Sequence, residues 1–266
     1  MPMNNVSTVD LTGKVAAVTG GSRGIGRGIV EGFLAAGASV AINGRSQAKG
    51  DQALAELDAG ERAKFVAGNV QQQADVEAFV AATIEGFGKI DILVNNAGGS
   101  SGFAPIAQMA EKSWQEAANW ILNSAFWATR AALNDMEPRG WGRIINISSV
   151  EGRQASKASV SHYITFKHAL NGFTKAVAFE YGAAGITCNA ISPGGVETDL
   201  MREQGPDAAK SMGITYEEFK DSYAQESSIK RLNTVEEVSA MALLLASANG
   251  GGINGAILAI DGGTAL

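Results

Sequence analysis

Short apolar runs and amphipathic stretches take turns along almost the whole chain. Apolar runs at 14–19, 38–42, 90–94, 186–191 and 255–263, with a shorter one at 64–66, have the length of strands. Their lack of in–out alternation predicts strands buried on both faces, as in a parallel sheet. The run at 142–149 is of the same kind and ends on Ser148 and Ser149. Between these runs lie segments with helical spacing of apolar residues, at 26–36, 52–57, 74–87, 114–136, 161–181 and 236–246. This alternation predicts an α/β fold, a Rossmann-type doubly wound parallel sheet of about seven strands. Residues 1–12 are polar and are expected to fray. The stretch 199–232 is polar and helical without a strong apolar stripe, which suits a lid over a substrate site.

With 266 residues and no internal repeat, the chain is expected to form one domain over 1–266. A hydrophobic content of 45% with 18% charged residues describes a globular protein and excludes a disordered one. The net charge of −6 argues against nucleic acid or an anionic membrane as partner. No apolar run is long enough to span a bilayer, and the N-terminal stretch lacks the basic start and apolar core of a secretory signal. The single cysteine, Cys188, permits no internal disulfide. With only His162 and His168 beside it, a His/Cys metal centre is not expected. These features together point to the cytoplasm.

Chemistry begins where the first strand meets the first helix, at Thr19-Gly20-Gly21-Ser22-Arg23-Gly24-Ile25-Gly26. Glycine lets such a turn take positive φ and lets backbone approach a ligand closely. The following helix offers unpaired N–H groups and a positive dipole end, suited to a pyrophosphate. In dinucleotide-binding folds an acid about 20 residues further on bonds the ribose 2′-hydroxyl, whereas a nearby arginine accommodates a 2′-phosphate. Gly44 stands where the acid would be, followed by Arg45 and Ser46, and Arg23 lies inside the turn. Either arginine alone reads as solvated surface; together, with no acid, they favour NADP(H) over NAD(H).

The spacing T-G-x-x-x-G-x-G resembles the opening of the short-chain dehydrogenase/reductase family. Asn95-Asn96-Ala97-Gly98 after the fourth strand, Tyr163 and Lys167 one helical turn apart, and Pro193-Gly194-Gly195-Val196-Glu197-Thr198 extend the resemblance over about 14–263. It implies hydride transfer between a nicotinamide and a carbon bearing a hydroxyl or carbonyl. It implies a cofactor site built from Gly20, Ser22, Arg23, Gly24, Ile25, Gly26, Arg45, Ser46, Asn69, Val70, Asn96, Ala97, Gly98, Tyr163, Lys167, Pro193, Gly194, Val196 and Thr198. It further implies Ser149, Tyr163 and Lys167 as the catalytic set and a homo-tetramer paired through the helices that begin near Trp114 and Tyr163. Trp120, Phe126 and Trp127 supply apolar bulk on the first of these, for packing or for that contact. A phenol is a poor acid–base group near neutrality unless its anion is stabilised. Lys167, on the same helix face, would lower the phenol's pKa and hold the nicotinamide ribose. Ser149 would hydrogen-bond the substrate oxygen. Without the motifs upstream, Tyr163 and Lys167 would read as an ordinary surface pair.

The chain departs from the family pattern in places. Asn69 stands where the family usually has Asp. The interval from Ser149 to Tyr163 is one residue longer than the commonest spacing, so the loop 152–161 is expected to bulge, and Ser148 competes with Ser149. Ile121 falls where the family has an Asn that holds a water linking the lysine to solvent. Asn119 and Asn123 flank it, but two residues along a helix turn a side chain by about 200°, toward the opposite face. His162 stands next to Tyr163, where it either lines the pocket or serves structure; His168 and Cys188 are expected to pack. The leading reading is an NADP(H)-dependent oxidoreductase acting on a secondary alcohol or its ketone, of the 3-oxoacyl reductase or 3-hydroxybutyrate dehydrogenase type. The rival is a cofactor-binding sensor or scaffold of the same fold without turnover. Ile121 and the longer loop favour the rival; retention of Ser149, Tyr163 and Lys167 together disfavours it.

Overall fold

The computed structural model describes residues 9–265. Its elements follow as β1 (Val15–Thr19), α1 (Gly24–Ala35), β2 (Ser39–Gly44), α2 (Gln47–Leu57), β3 (Ala63–Ala67), α3 (Gln73–Phe87), β4 (Ile92–Asn95), α4 (Glu111–Ala117) and α5 (Ser124–Arg139). Then come β5 (Gly142–Ile147), α6 (Ser161–Tyr181), β6 (Ile186–Pro193), α7 (Asp199–Met212), α8 (Tyr216–Glu226), α9 (Val235–Ala246) and β7 (Ile257–Ile260). All seven strands form one parallel sheet in the order β3-β2-β1-β4-β5-β6-β7. This is the single-domain, Rossmann-type α/β fold that the alternating pattern predicts. Strands β1, β4, β5 and β6 are buried along their whole length, which is why their sequences are apolar at successive positions.

On one face of the sheet, Ile29, Val30 and Phe33 of α1 pack with Val238, Ala242 and Leu245 of α9. On the other, Val76, Phe79 and Val80 of α3 meet Ala128, Ala132 and Met136 of α5 and Val177 of α6. Helices α8 and α9 each start with a capping box, Thr215 with Glu218 and Thr234 with Glu237, which satisfies free N–H groups at both ends of the exchange.

Local expectations are corrected at two places, and the stretch 199–232 gains internal detail. Of the N-terminal stretch expected to fray, residues 1–8 lie outside the described residues. Leu11 is instead part of the core, and its N–H donates to Ala36 O at 2.8 Å. The stretch 114–136 is not one regular helix: α4 begins at Glu111, and a wide π turn over Ala118–Asn123 separates it from α5. Within 199–232 there are two helices, α7 and α8, joined at Gly213.

Away from the carboxyl ends of the strands, Asp91 precedes β4 and is buried. It accepts from the Val15 N–H at 3.0 Å and pairs with Lys89 at 2.9 Å and Arg139 at 2.8 Å. Burial by itself would raise its pKa, but the bonds from Lys89, Val15 and Arg139 outweigh it and hold the carboxyl below its ordinary value. A depressed pKa contributes stability above the unfolded-state value of about 4, and that contribution is lost as pH falls through the folded-state value. Asp91→Asn is therefore expected to lose about 2 kcal/mol at pH 7, less than a fully buried pair would. The discount follows from side-chain exposures of 35% for Lys89 and 31% for Arg139. Urea unfolding should show wild type and variant converging in acid; an equal gap at pH 7 and pH 3 would refute this account.

Candidate active site

Strands β1 and β4 lie side by side in the sheet, yet the chain leaves them in different directions, and a crevice opens at their carboxyl ends. A cleft of about 650 Å³ occupies this position. Of the residues expected to hold a cofactor, Gly20, Ser22, Arg23, Gly24, Ile25, Gly26, Arg45, Asn69, Val70, Asn96, Ala97, Gly98, Tyr163, Lys167, Pro193, Gly194, Val196 and Thr198 all line it. Ser46 does not. Its hydroxyl caps α2, accepting from the Lys49 N–H at 3.4 Å.

The backbone of the glycine turn is closely packed. Gly20 sits at φ +64, and a Cβ on Gly26 would lie 2.4 Å from Gly20 O, so neither position tolerates a side chain without movement. The turn is laced to the loop after β4. Asn96 Nδ2 donates to Thr19 O at 2.9 Å and to Gly20 O at 3.1 Å. The Thr19 hydroxyl accepts from the Asn96 and Ala97 N–H groups, each at 3.0 Å. Asn96 thus shapes the turn with its amide while lining the cleft. Helix α7 reaches the same turn: Asp199 accepts from the Gly24 N–H at 3.2 Å, and Glu203 pairs with Arg23 at 3.2 Å. Arg45 stands exposed at the rim. Asn69 accepts from the Gln71 N–H through its side chain, while its own N–H donates to Asp75.

Three side chains converge at the inner end of the cleft. Ser149 follows β5 and lines the cleft with Tyr163, near enough to oppose the rise in the tyrosine's pKa, while its hydroxyl accepts from the Glu151 N–H at 3.2 Å. Ser148 turns the other way and donates to Lys167 O at 3.5 Å, so only Ser149 faces the tyrosine. In the loop that follows, Ser159 adopts φ +65. Lys167 is buried; its Nζ donates to Ile147 O at 2.7 Å and lies 5.5 Å from the Tyr163 ring centroid. Burial lowers the lysine to about 7. Burial raises the tyrosine; the Ser149 hydrogen bond opposes that rise and the charge of Glu151 adds to it. The expected lowering of the phenol by the ammonium is therefore not what dominates here, because burial penalises the charged form of both groups.

Ile121 is buried in the π turn with Ala125 and Leu170, against Tyr163. Asn119 and Asn123 bond each other instead, Nδ2 to Oδ1 at 2.7 Å. His162 is wholly buried, with Nε2 3.0 Å from Ser101 O, and His168 bonds Ile164 O. Cys188 is buried in β6, and burial pushes its thiol well up. Sequence reasoning missed Thr19, Trp120, Glu151, Asp199 and Glu203 as parts of this region. Thr19 opens the glycine motif and could have been found there; the others carry no local signal. A second cavity of about 330 Å³ adjoins Tyr163, lined in part by Ser149, Glu151, Lys157, Tyr223 and Glu226.

Comparison with known proteins places this geometry. A family model described as short chain dehydrogenase matches residues 14–209. The chain is 38% identical over 255 residues to a D-beta-hydroxybutyrate dehydrogenase of Cupriavidus necator, covering 95% of this chain and 98% of that protein. It is 39% identical over 257 residues to 3beta-hydroxysteroid dehydrogenase 2 of Eggerthella lenta, covering 95% of each. Among solved structures, a point variant of actinorhodin polyketide ketoreductase with NADPH superposes with a TM-score of 0.88 at 33% identity, covering 94% of this chain and 97% of that one.

The close approach at the glycine turn yields a test. Gly26→Ala should push Gly20 and the Asn96 amide apart, weakening dinucleotide binding at least tenfold while circular dichroism shows the fold retained. Unchanged affinity in a fluorescence titration would mean that the turn is not the binding element.

Proposed function

Since the chain belongs to the short-chain dehydrogenase family and is an NAD(P)-dependent oxidoreductase, we propose NADP(H) as its cofactor and a secondary alcohol or its ketone as its substrate. The observation that carries this reading is the convergence of Ser149, Tyr163 and Lys167 at the inner end of a cleft shaped by the glycine turn. When bound, the nicotinamide supplies or accepts the hydride. Tyr163 passes a proton to or from the substrate oxygen, and Ser149 holds that oxygen by a second hydrogen bond. Lys167, anchored on Ile147 O, holds the nicotinamide ribose and, when charged, stabilises the phenolate. Relatives named as dehydrogenases do not favour the sensor or scaffold reading. A 3-oxoacyl or 3-hydroxybutyrate type of substrate fits the names of the relatives.

The preference for NADP(H) rests on Arg45 more than on Arg23. A 2′-phosphate would have to draw Arg23 away from Glu203, whereas Arg45 is exposed at the rim. A charge-assisted bond contributes about 1.5–3 kcal/mol, and tenfold in affinity is about 1.4 kcal/mol. Arg45→Asp is accordingly expected to cut the NADPH-over-NADH ratio of kcat/KM by at least tenfold. An unchanged ratio would sink the assignment.

We place the protein in the cytoplasm as a homo-tetramer. In support, Cys188 is free and buried, and Phe126 of α5 lies exposed beside Phe173 of α6, their ring centroids 6.3 Å apart. On the same helical stretch Trp114 stacks edge-on against Phe166, Trp120 lines the cleft and Trp127 packs inward, while Phe126 is exposed. Among the described residues, no helix is long and apolar enough to cross a membrane.

Tyr163→Phe should remove nearly all turnover and leave NADPH affinity within about twofold, since it deletes a proton donor and little volume; the mechanism is wrong if a tenth of the rate survives. Ile121 offers no side-chain site for a relay water, and Asn119 and Asn123 are occupied with each other. Ile121→Asn should therefore leave the rate unchanged or raise it and reduce its sensitivity to deuterated solvent, while Asn123→Ala does little. A large loss in Asn123→Ala with folding intact would reverse that assignment.

A further inference from the structure

The cavity beside Tyr163 carries more negative than positive charge. Glu151 is only 5% exposed, and its carboxylate is met by neutral donors, the Ser156 N–H at 3.1 Å and the Ser156 hydroxyl. It lines the same cavity as Tyr163, and its charge adds to the rise in the tyrosine's pKa. The one ammonium lining the cavity, Lys157, is already committed. Its Nζ lies 3.4 Å from Glu226 Oε1 and 3.7 Å from the ring centroid of Tyr223. Arg153, the nearest guanidinium in sequence, pairs with Asp261 at 2.9 Å. Lys157 and Glu226 thus offset each other, and among the described residues Glu151 makes no ion pair in a space of about 330 Å³. That volume is at the lower end of the range for ligand sites, about 300–1,000 Å³, so a substrate held there cannot keep its charge far from the walls.

We propose that the enzyme selects uncharged ketones and secondary alcohols, such as 3-oxo esters or thioesters, and that Glu151 and Glu226 reject the corresponding 3-oxo carboxylate anions. The inference rests on the oxidoreductase reading above and narrows it. Like charges held within the few ångströms that such a cavity allows repel each other. Glu151 does this from the wall of the cavity that it shares with Tyr163. Glu226 does it by occupying the lysine that would otherwise receive a substrate carboxylate. A hydroxyl or amide N–H on the substrate would instead find an acceptor in Glu151.

Ethyl acetoacetate and acetoacetate form a matched pair for the test, since they differ in the charge at one end. With NADPH, the ester should show a kcat/KM at least tenfold above that of the acid at pH 7. Calorimetric titration of each into the complex with NADP+, in which the ketone cannot be reduced, should show the ester binding the tighter. Glu226→Gln, at a half-exposed position chosen so that folding is spared, should narrow the gap by raising the acid's kcat/KM severalfold as Lys157 is released. Acid and ester equal in both assays, or neither binding, overturns the inference. Tighter binding of the ester without any turnover supports the charge selection and overturns the reaction assigned to the site, so the two readings fail separately.

Discussion

The carboxyl edge of the sheet depends on the hydrogen bonds that tie the glycine turn to the loop after β4. Parallel strands are paired along their length, but at the switch between β1 and β4 the chain ends diverge and nothing in the ladder holds them. The Thr19 hydroxyl and the Asn96 amide fill that gap with four bonds between 2.9 and 3.1 Å. Each contributes about 1 kcal/mol net. Their larger effect is geometric, since they fix Gly20 O close against Gly26. One residue earlier, Asn95 donates to Asn146 at 2.8 Å, and Asn146 donates to Thr174 at 2.9 Å. That chain of side chains runs from β4 through β5 to α6, and so fixes the helix that carries Tyr163 and Lys167 relative to the cleft.

Charge is arranged around this frame in a way that couples the groups to one another. Burial disfavours the phenolate of Tyr163 and the ammonium of Lys167 alike, so the two gain by becoming charged together. Glu151 works against the phenolate, and Ser149 for it. At the other end of the cleft, Asp199 and Glu203 of α7 hold the Gly24 N–H and the Arg23 guanidinium. The first turn of α7 is thereby attached to the glycine turn, and its position is linked to that of the turn.

How the chain reads by itself follows from the range of the forces involved. Apolar runs buried on both faces, glycines that a tight turn demands, and a tyrosine and lysine one helical turn apart are local, and the sequence by itself determined the α/β fold and the residues that line the cleft. The remainder was decided by contacts between segments far apart in the chain. The π turn over Ala118–Asn123 forms where α4 and α5 must both pack against α6, and no periodicity announces it. Ser148 and Ser149 are equivalent as neighbours in sequence; alternation at the end of a strand turns one to the α6 backbone and the other to Tyr163. Leu11 is buried because Ala36 lies beside it, and Ser46 leaves the cleft because α2 needs a cap. Most of all, the pairing of Arg23 with Glu203 and the sequestering of Lys157 by Glu226 join residues separated by 180 and 69 positions. Side-chain charge acts across space and leaves no period in the sequence, so which cations stay free for ligands was settled only by the tertiary structure.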